Sequence, residues 1–240
     1  MNAASSPQRS TALDWLRLAI VLLIVAATQA YGHGVAEDDK AFIEQVGGAQ
    51  IVPFVYLGAK HMVTGYDHLL FLVGVIFFLY RLKEVAAYVT LFAVGHSVTL
   101  LYGMLSGARV NAFMVDAIIG LSVVYIALDN LGALSRWLGF RPNPKMAVLL
   151  FGLVHGFGLA TKLQEFTLSR NGLVANILAF NVGIELGQLL ALSAILIAIN
   201  FWRRTHVFAR QAFAANVALM TAGFVLVGYQ LAGFTTAYGP

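Results

Sequence analysis

At 240 residues, 60% hydrophobic, 11% charged and with a mean hydropathy of +0.80, the chain is too apolar for a water-soluble domain, which usually carries about a quarter charged residues. Fifteen basic against eleven acidic residues leave a net charge of +4; in a membrane protein that is first a topology signal, and it implies no nucleic-acid partner. With no cysteine, a disulfide framework, a thiolate metal site and a cysteine nucleophile are all excluded.

In chain order, Arg9 and Arg17 flank a short polar start, Leu18 to Ala27 is unbroken apolar sequence, and Thr28-Gln29-Ala30 supplies small residues. Residues 1–30 therefore read as a signal peptide, or alternatively as an N-terminal hydrophobic helix. Residues 31–53 form an acidic segment with Glu37, Asp38, Asp39 and Glu44. Residues 54–240 read as an all-α, polytopic bundle of six transmembrane helices, expected near 54–80, 85–106, 110–131, 146–163, 172–200 and 212–234. Pro142 and Pro144 mark a loop between the third and fourth.

Counting Lys and Arg on alternate loops orients these crossings, since cytoplasmic loops carry the excess. Arg81, Lys83, Arg136, Arg141, Lys145, Arg203, Arg204 and Arg210 fall on one side, together with Arg9 and Arg17; Lys40, Lys60, Arg109, Lys162 and Arg170 fall on the other. The acidic segment and the C-terminus are thus expected outside a bacterial cytoplasmic membrane.

An ionisable side chain inside a span costs about 2.5 kcal/mol or more unless it faces a partner, a cavity or an ion. The expected spans nonetheless carry His61, Asp67, His68, His96, Asp116, His155 and Glu185, with Ser97, Asn181 and Gln188 beside them. His61 and His68 stand seven apart with Gly65 between them, and Asn181, Glu185 and Gln188 follow an i, i+4, i+7 stripe. Neutral imidazole and carboxylate suit nickel, cobalt, zinc or iron. Ser97, Asn181 and Gln188 would then orient ligands, and Gly65, Gly95, Gly152, Gly156, Gly183 and Gly187 would let helices pack closely.

Each element also has a structural reading. His96 or His155 alone could tie two helices together, Asp67 could form an internal ion pair with His68, and the Gly152/Gly156 spacing fits packing. Asp129 and Asn130 read as interfacial caps. His33, after the expected cleavage site, reads as solvated, and His206 receives no role. Polar residues spent at one depth by several spans are harder to explain by packing.

The blocks His61 to Leu72 (HMVTGYDHLLFL), Phe92 to Leu100 (FAVGHSVTL), Phe151 to Ala160 (FGLVHGFGLA) and Phe180 to Gln188 (FNVGIELGQ) resemble the HupE/UreJ family of bacterial membrane proteins, in particular its second subgroup. That resemblance implies a permease for nickel or a related divalent metal, supplying hydrogenase or urease. It maps the family's histidine and acidic motif onto His61, Asp67 and His68, and further polar motifs onto His96, His155, Asn181 and Glu185. Where the family commonly has Glu in the third span, this chain has Asp116, one methylene shorter.

The expected function is uptake of a divalent transition metal, nickel first with cobalt, zinc or iron as alternatives. The partners expected are the lipid bilayer and the metal ion, with a homo-oligomer or another membrane protein as further candidates. No P-loop sequence is present to couple ATP hydrolysis. The rivals are an intramembrane zinc-dependent hydrolase, for which Ser97 would matter although neither H-E-x-x-H nor G-x-S-x-G occurs, and a metal-binding accessory subunit that does not transport.

Overall fold

A computed structural model describes residues 43–44, 47–165 and 171–239. The expected signal peptide and most of the acidic segment, including His33, lie outside these residues. Within them the chain is helical: α1 (Ile51–Thr64), α2 (Tyr66–Ile76), α3 (Leu82–Ser106), α4 (Ala112–Asn130), α5 (Ala133–Leu138), α6 (Pro144–Leu163), α7 (Leu173–Arg203) and α8 (Phe208–Tyr238). Five of these, α3, α4, α6, α7 and α8, are long and apolar enough to cross a membrane. Their exposed faces carry large apolar side chains such as Leu190, Phe201 and Phe213, as a lipid-facing surface requires. The protein is a polytopic membrane helix bundle.

The first expected crossing is not one helix. It is divided into α1 and α2 by Gly65, whose φ of −77° and ψ of 92° are extended and not helical. Glycine is a poor helix former, by about 1 kcal/mol relative to alanine. Asp67 stands in the first turn of α2 and accepts a hydrogen bond from the His68 backbone N–H at 2.9 Å, as an acid placed at a helix N-terminus does. Gly65 itself is buried; non-helical backbone at membrane depth is tolerated where protein covers it. The break opens at the histidine motif.

Three close helix pairs make the bundle, α1 with α7, α3 with α6 and α4 with α8. Glycine permits each. A Cβ at Gly183 would collide with Val55 O, one at Gly152 with Phe92 O, and one at Gly223 would press on Gly120 O. Gly95 and Gly156 likewise meet backbone across α3 and α6, and Gly187 meets Ala59 across α1 and α7. Gly65 does not act in this way: a Cβ there would press on the His68 ring and His61 O.

The connections follow from local chemistry. Pro144 opens α6 behind Asn143, whose side chain accepts from the Lys145 N–H at 3.0 Å, because the first helical position needs no proline N–H. The short α5 lies in the basic loop between α4 and α6, bounded by Gly132 and Gly139 with φ of 67° and 74°. At the same end Arg203 donates to Ile76 O, Phe77 O and Leu79 O. It thereby satisfies carbonyls that the end of α2 leaves over and ties α7 to α2. Asn130, expected as an interfacial cap, instead donates at 2.9 Å to Gly74 O and to Asn216 Oδ1; its neighbours are α2 and α8, so it joins helices.

Candidate metal centre

The break at Gly65 sets the site. Along a continuous helix, residues seven apart are displaced by about 10.5 Å along the axis, whereas the His61 and His68 ring centroids are 5.2 Å apart. The seven-residue spacing therefore places two imidazoles together through an interruption, where the sequence had suggested one uninterrupted stripe. α3 adds His96, 6.3 Å from His68 by ring centroid, and α6 adds His155, 4.8 Å from His68. All four are buried, His68, His96 and His155 completely.

One nitrogen from each of His61, His68 and His96 lies within 4.8 Å of the others. That is near the roughly 4 Å which two bonds of 2.0–2.1 Å to a single ion can span. Three imidazoles from α1, α2 and α3 thus come together as candidate ligands.

Hydrogen bonding decides which ring nitrogens can serve. His68 Nδ1 is 2.8 Å from Asp67 Oδ1. A carboxylate accepts, so Nδ1 carries the hydrogen and Nε2 holds the lone pair, the arrangement that orients metal-binding histidines. Asp67 is a partner of His68 and stands behind the ring. His155 Nδ1 is 2.6 Å from Phe151 O; by the same reasoning its Nδ1 donates and its lone pair is on Nε2. His96 differs, since neither of its nitrogens has a hydrogen-bond partner among the described residues. Asn181 approaches it from α7 without reaching hydrogen-bond geometry.

The amides extend this pattern. Asn181 and Gln188 are buried, and no side-chain nitrogen or oxygen of either is hydrogen-bonded among the described residues. An unsatisfied buried polar group costs about 1–3 kcal/mol. Asn181 lies beside the His96 imidazole, and an orphaned amide there suits a cation with part of its hydration.

The remaining expected residues are placed less centrally. Asp116 Oδ2 accepts from Lys162 Nζ at 2.7 Å, and Asp116 lies within electrostatic range of His68. Its charge is already balanced by the half-buried Lys162 ammonium. Lys162 belongs to the last turn of α6, within the expected 146–163 span; counted there only as an outer topology charge, it was missed as a site neighbour. The signal was available: it follows His155 by seven residues on one helix. Glu185, on the same expected stripe as Asn181 and Gln188, is half-exposed and accepts from Thr90 Oγ1 at 3.2 Å. Ser97 is half-buried beside His96 and is not one of the converging ligands. Thr99, which the sequence reading did not select, donates to Leu153 O at 2.7 Å and locks α3 to α6 at the level of the histidines.

Chemically, the arrangement can bind a borderline transition-metal ion through neutral imidazoles, with carboxylates outside the ligand shell. No curated protein and no solved structure matches the chain. Residues 37–238 match the family model described as HupE / UreJ protein, and the chain is a member of the HupE/UreJ family of membrane proteins.

Proposed function

We propose that the protein is a permease for a divalent transition metal, with nickel as the first candidate and cobalt, zinc and iron as alternatives. The observation that carries this reading is the convergence of His61, His68 and His96, three buried imidazoles from three helices. His155 adjoins them, Asp67 orients His68, and Asn181 and Gln188 meet the ion's remaining hydration. Asp116 and Lys162 set the local charge. With the basic loops inside, the α1–α2 break belongs to the outer half of the bundle in the bacterial cytoplasmic membrane. An inside-negative potential of about 100 mV then favours entry of a doubly charged ion by roughly 4.6 kcal/mol, twice the single-charge value.

A permease needs an ion-binding site that is reached from both sides in turn, and helices interrupted at the site are a recurring way to provide one. Glu185 contributes less directly, from the groove it shares with Thr90. The test is Ni²⁺ flux into vesicles reconstituted with the purified protein. Saturable uptake that is lost in His96→Ala supports the permease. Bound Ni²⁺ without flux would assign the chain to an accessory role instead.

A further inference from the structure

Below the histidines, two further layers repeat on the same three helices. On α2, His68 is followed by Phe71 and then Val75; on α3 and α6, read in the opposite direction, His96 is followed by Phe92 and then Tyr88, and His155 by Phe151 and then Val148. Each step is three or four residues, one helical turn of about 5 Å. The middle layer is closed: Phe71 packs on Phe92 at 5.8 Å and on Phe151 at 5.5 Å, and Phe92 and Phe71 reach the His155 ring at 4.9 and 5.9 Å. Phe71 and Phe92 are fully buried.

The third layer is open. Val75, Tyr88 and Val148 line a cavity of about 890 Å³ at the end of the bundle that carries Arg141 and the other basic loop residues. Asp129 also lines it, with a side chain only 9% exposed and its carboxylate 3.7 Å from the exposed Arg141 guanidinium. That separation exceeds a hydrogen bond, so the carboxylate can still take a cation arriving from above. A wall of phenylalanines one turn thick between a polar site and a water-accessible cavity is the construction of a hydrophobic gate, which blocks ions by excluding water.

Building on the proposed transport of a divalent ion, we infer that this cavity is the inner vestibule of the same pathway, receiving the ion at Asp129, and that Phe71, Phe92 and Phe151 form the gate between it and the histidine site. The gate residues carry no ligand atoms, so their role is separable from metal binding.

The chain has no cysteine, so Tyr88→Cys creates a single thiol in the cavity that can be alkylated by a bulky maleimide after the protein is folded and reconstituted. Alkylation is expected to lower Ni²⁺ flux at least about tenfold relative to the unlabelled variant, while labelled protein in detergent binds the same number of Ni²⁺ ions. Unchanged flux after complete labelling would overturn the vestibule and leave the metal site standing. Failure of the parent protein to bind Ni²⁺ would overturn both readings. Phe71→Ala is expected to raise flux about fivefold or more without altering Ni²⁺ stoichiometry; Phe151→Ala, at a half-buried ring, gives the same reading if Phe71→Ala does not fold. Wild-type or slower flux in the folded variant would overturn the gate.

Discussion

Helix α7 carries two buried asparagines five residues apart, and they are treated in opposite ways. Asn176 Oδ1 accepts from the Gln50 N–H at 2.7 Å and its Nδ2 donates to Gly48 O at 3.0 Å. Asn181 has neither atom hydrogen-bonded among the described residues. The same contrast recurs between Asn216, which accepts from Asn130 and donates to Ala212 O, both at 2.9 Å, and Gln188, which is fully buried with no side-chain hydrogen bond among the described residues. Where this protein uses amides to hold helices together, it pairs them completely. Of the unsatisfied ones, Asn181 lies beside the His96 imidazole, the kind of difference that distinguishes a candidate ligand environment from a packing device.

The comparison can be broken most decisively at the histidines. His68→Ala should reduce bound Ni²⁺ from about one ion per chain to none by elemental analysis, because it removes the ligand nearest both His61 and His155; retained metal would place the site elsewhere. Asp67→Asn keeps the helix start but weakens the orientation of the His68 ring, and Ni²⁺ affinity measured by titration should fall about 10–100-fold. Affinity equal to the parent would make Asp67 a helix-capping residue only.

The amides sharpen the comparison further. Gln188→Leu removes two orphaned atoms at nearly constant volume, so the metal-free protein should unfold at higher temperature, with a gain of about 1–3 kcal/mol, while Ni²⁺ flux falls. A lower melting temperature would mean that Gln188 is structural. Asn216→Leu should do the opposite, losing about 0.6–1.7 kcal/mol of stability with Ni²⁺ affinity unchanged. A change in affinity there would erase the distinction between the two classes of amide.

Much of this architecture was legible because lipid imposes simple rules. Long apolar runs mark α3, α4, α6, α7 and α8 nearly to their ends, and the cost of ionisable groups in a span singles out His61, Asp67, His68, His96, Asp116, His155 and Glu185, of which His61, His68 and His96 come together. The break at Gly65 was not read, although Gly65 followed by Asp67 is a helix-start signal, because two histidines seven apart also fit one face of a straight helix. Periodicity could place Asn181, Glu185 and Gln188 on one stripe, but a stripe spans some 60° of helix surface. Neighbouring helices then bury Asn181 and Gln188 and leave Glu185 at the groove beside Thr90. The Asp116–Lys162 pair depends on how α4 and α6 meet, which no local pattern encodes.

The most direct test of the central claim is X-ray absorption spectroscopy of the purified protein loaded with Ni²⁺ in detergent, compared with the His96→Ala variant. A nearest shell dominated by imidazole nitrogen in the parent, which loses nitrogen scatterers or the metal itself in the variant, is the result this account predicts. A shell of oxygen alone, identical in the two proteins, would contradict it.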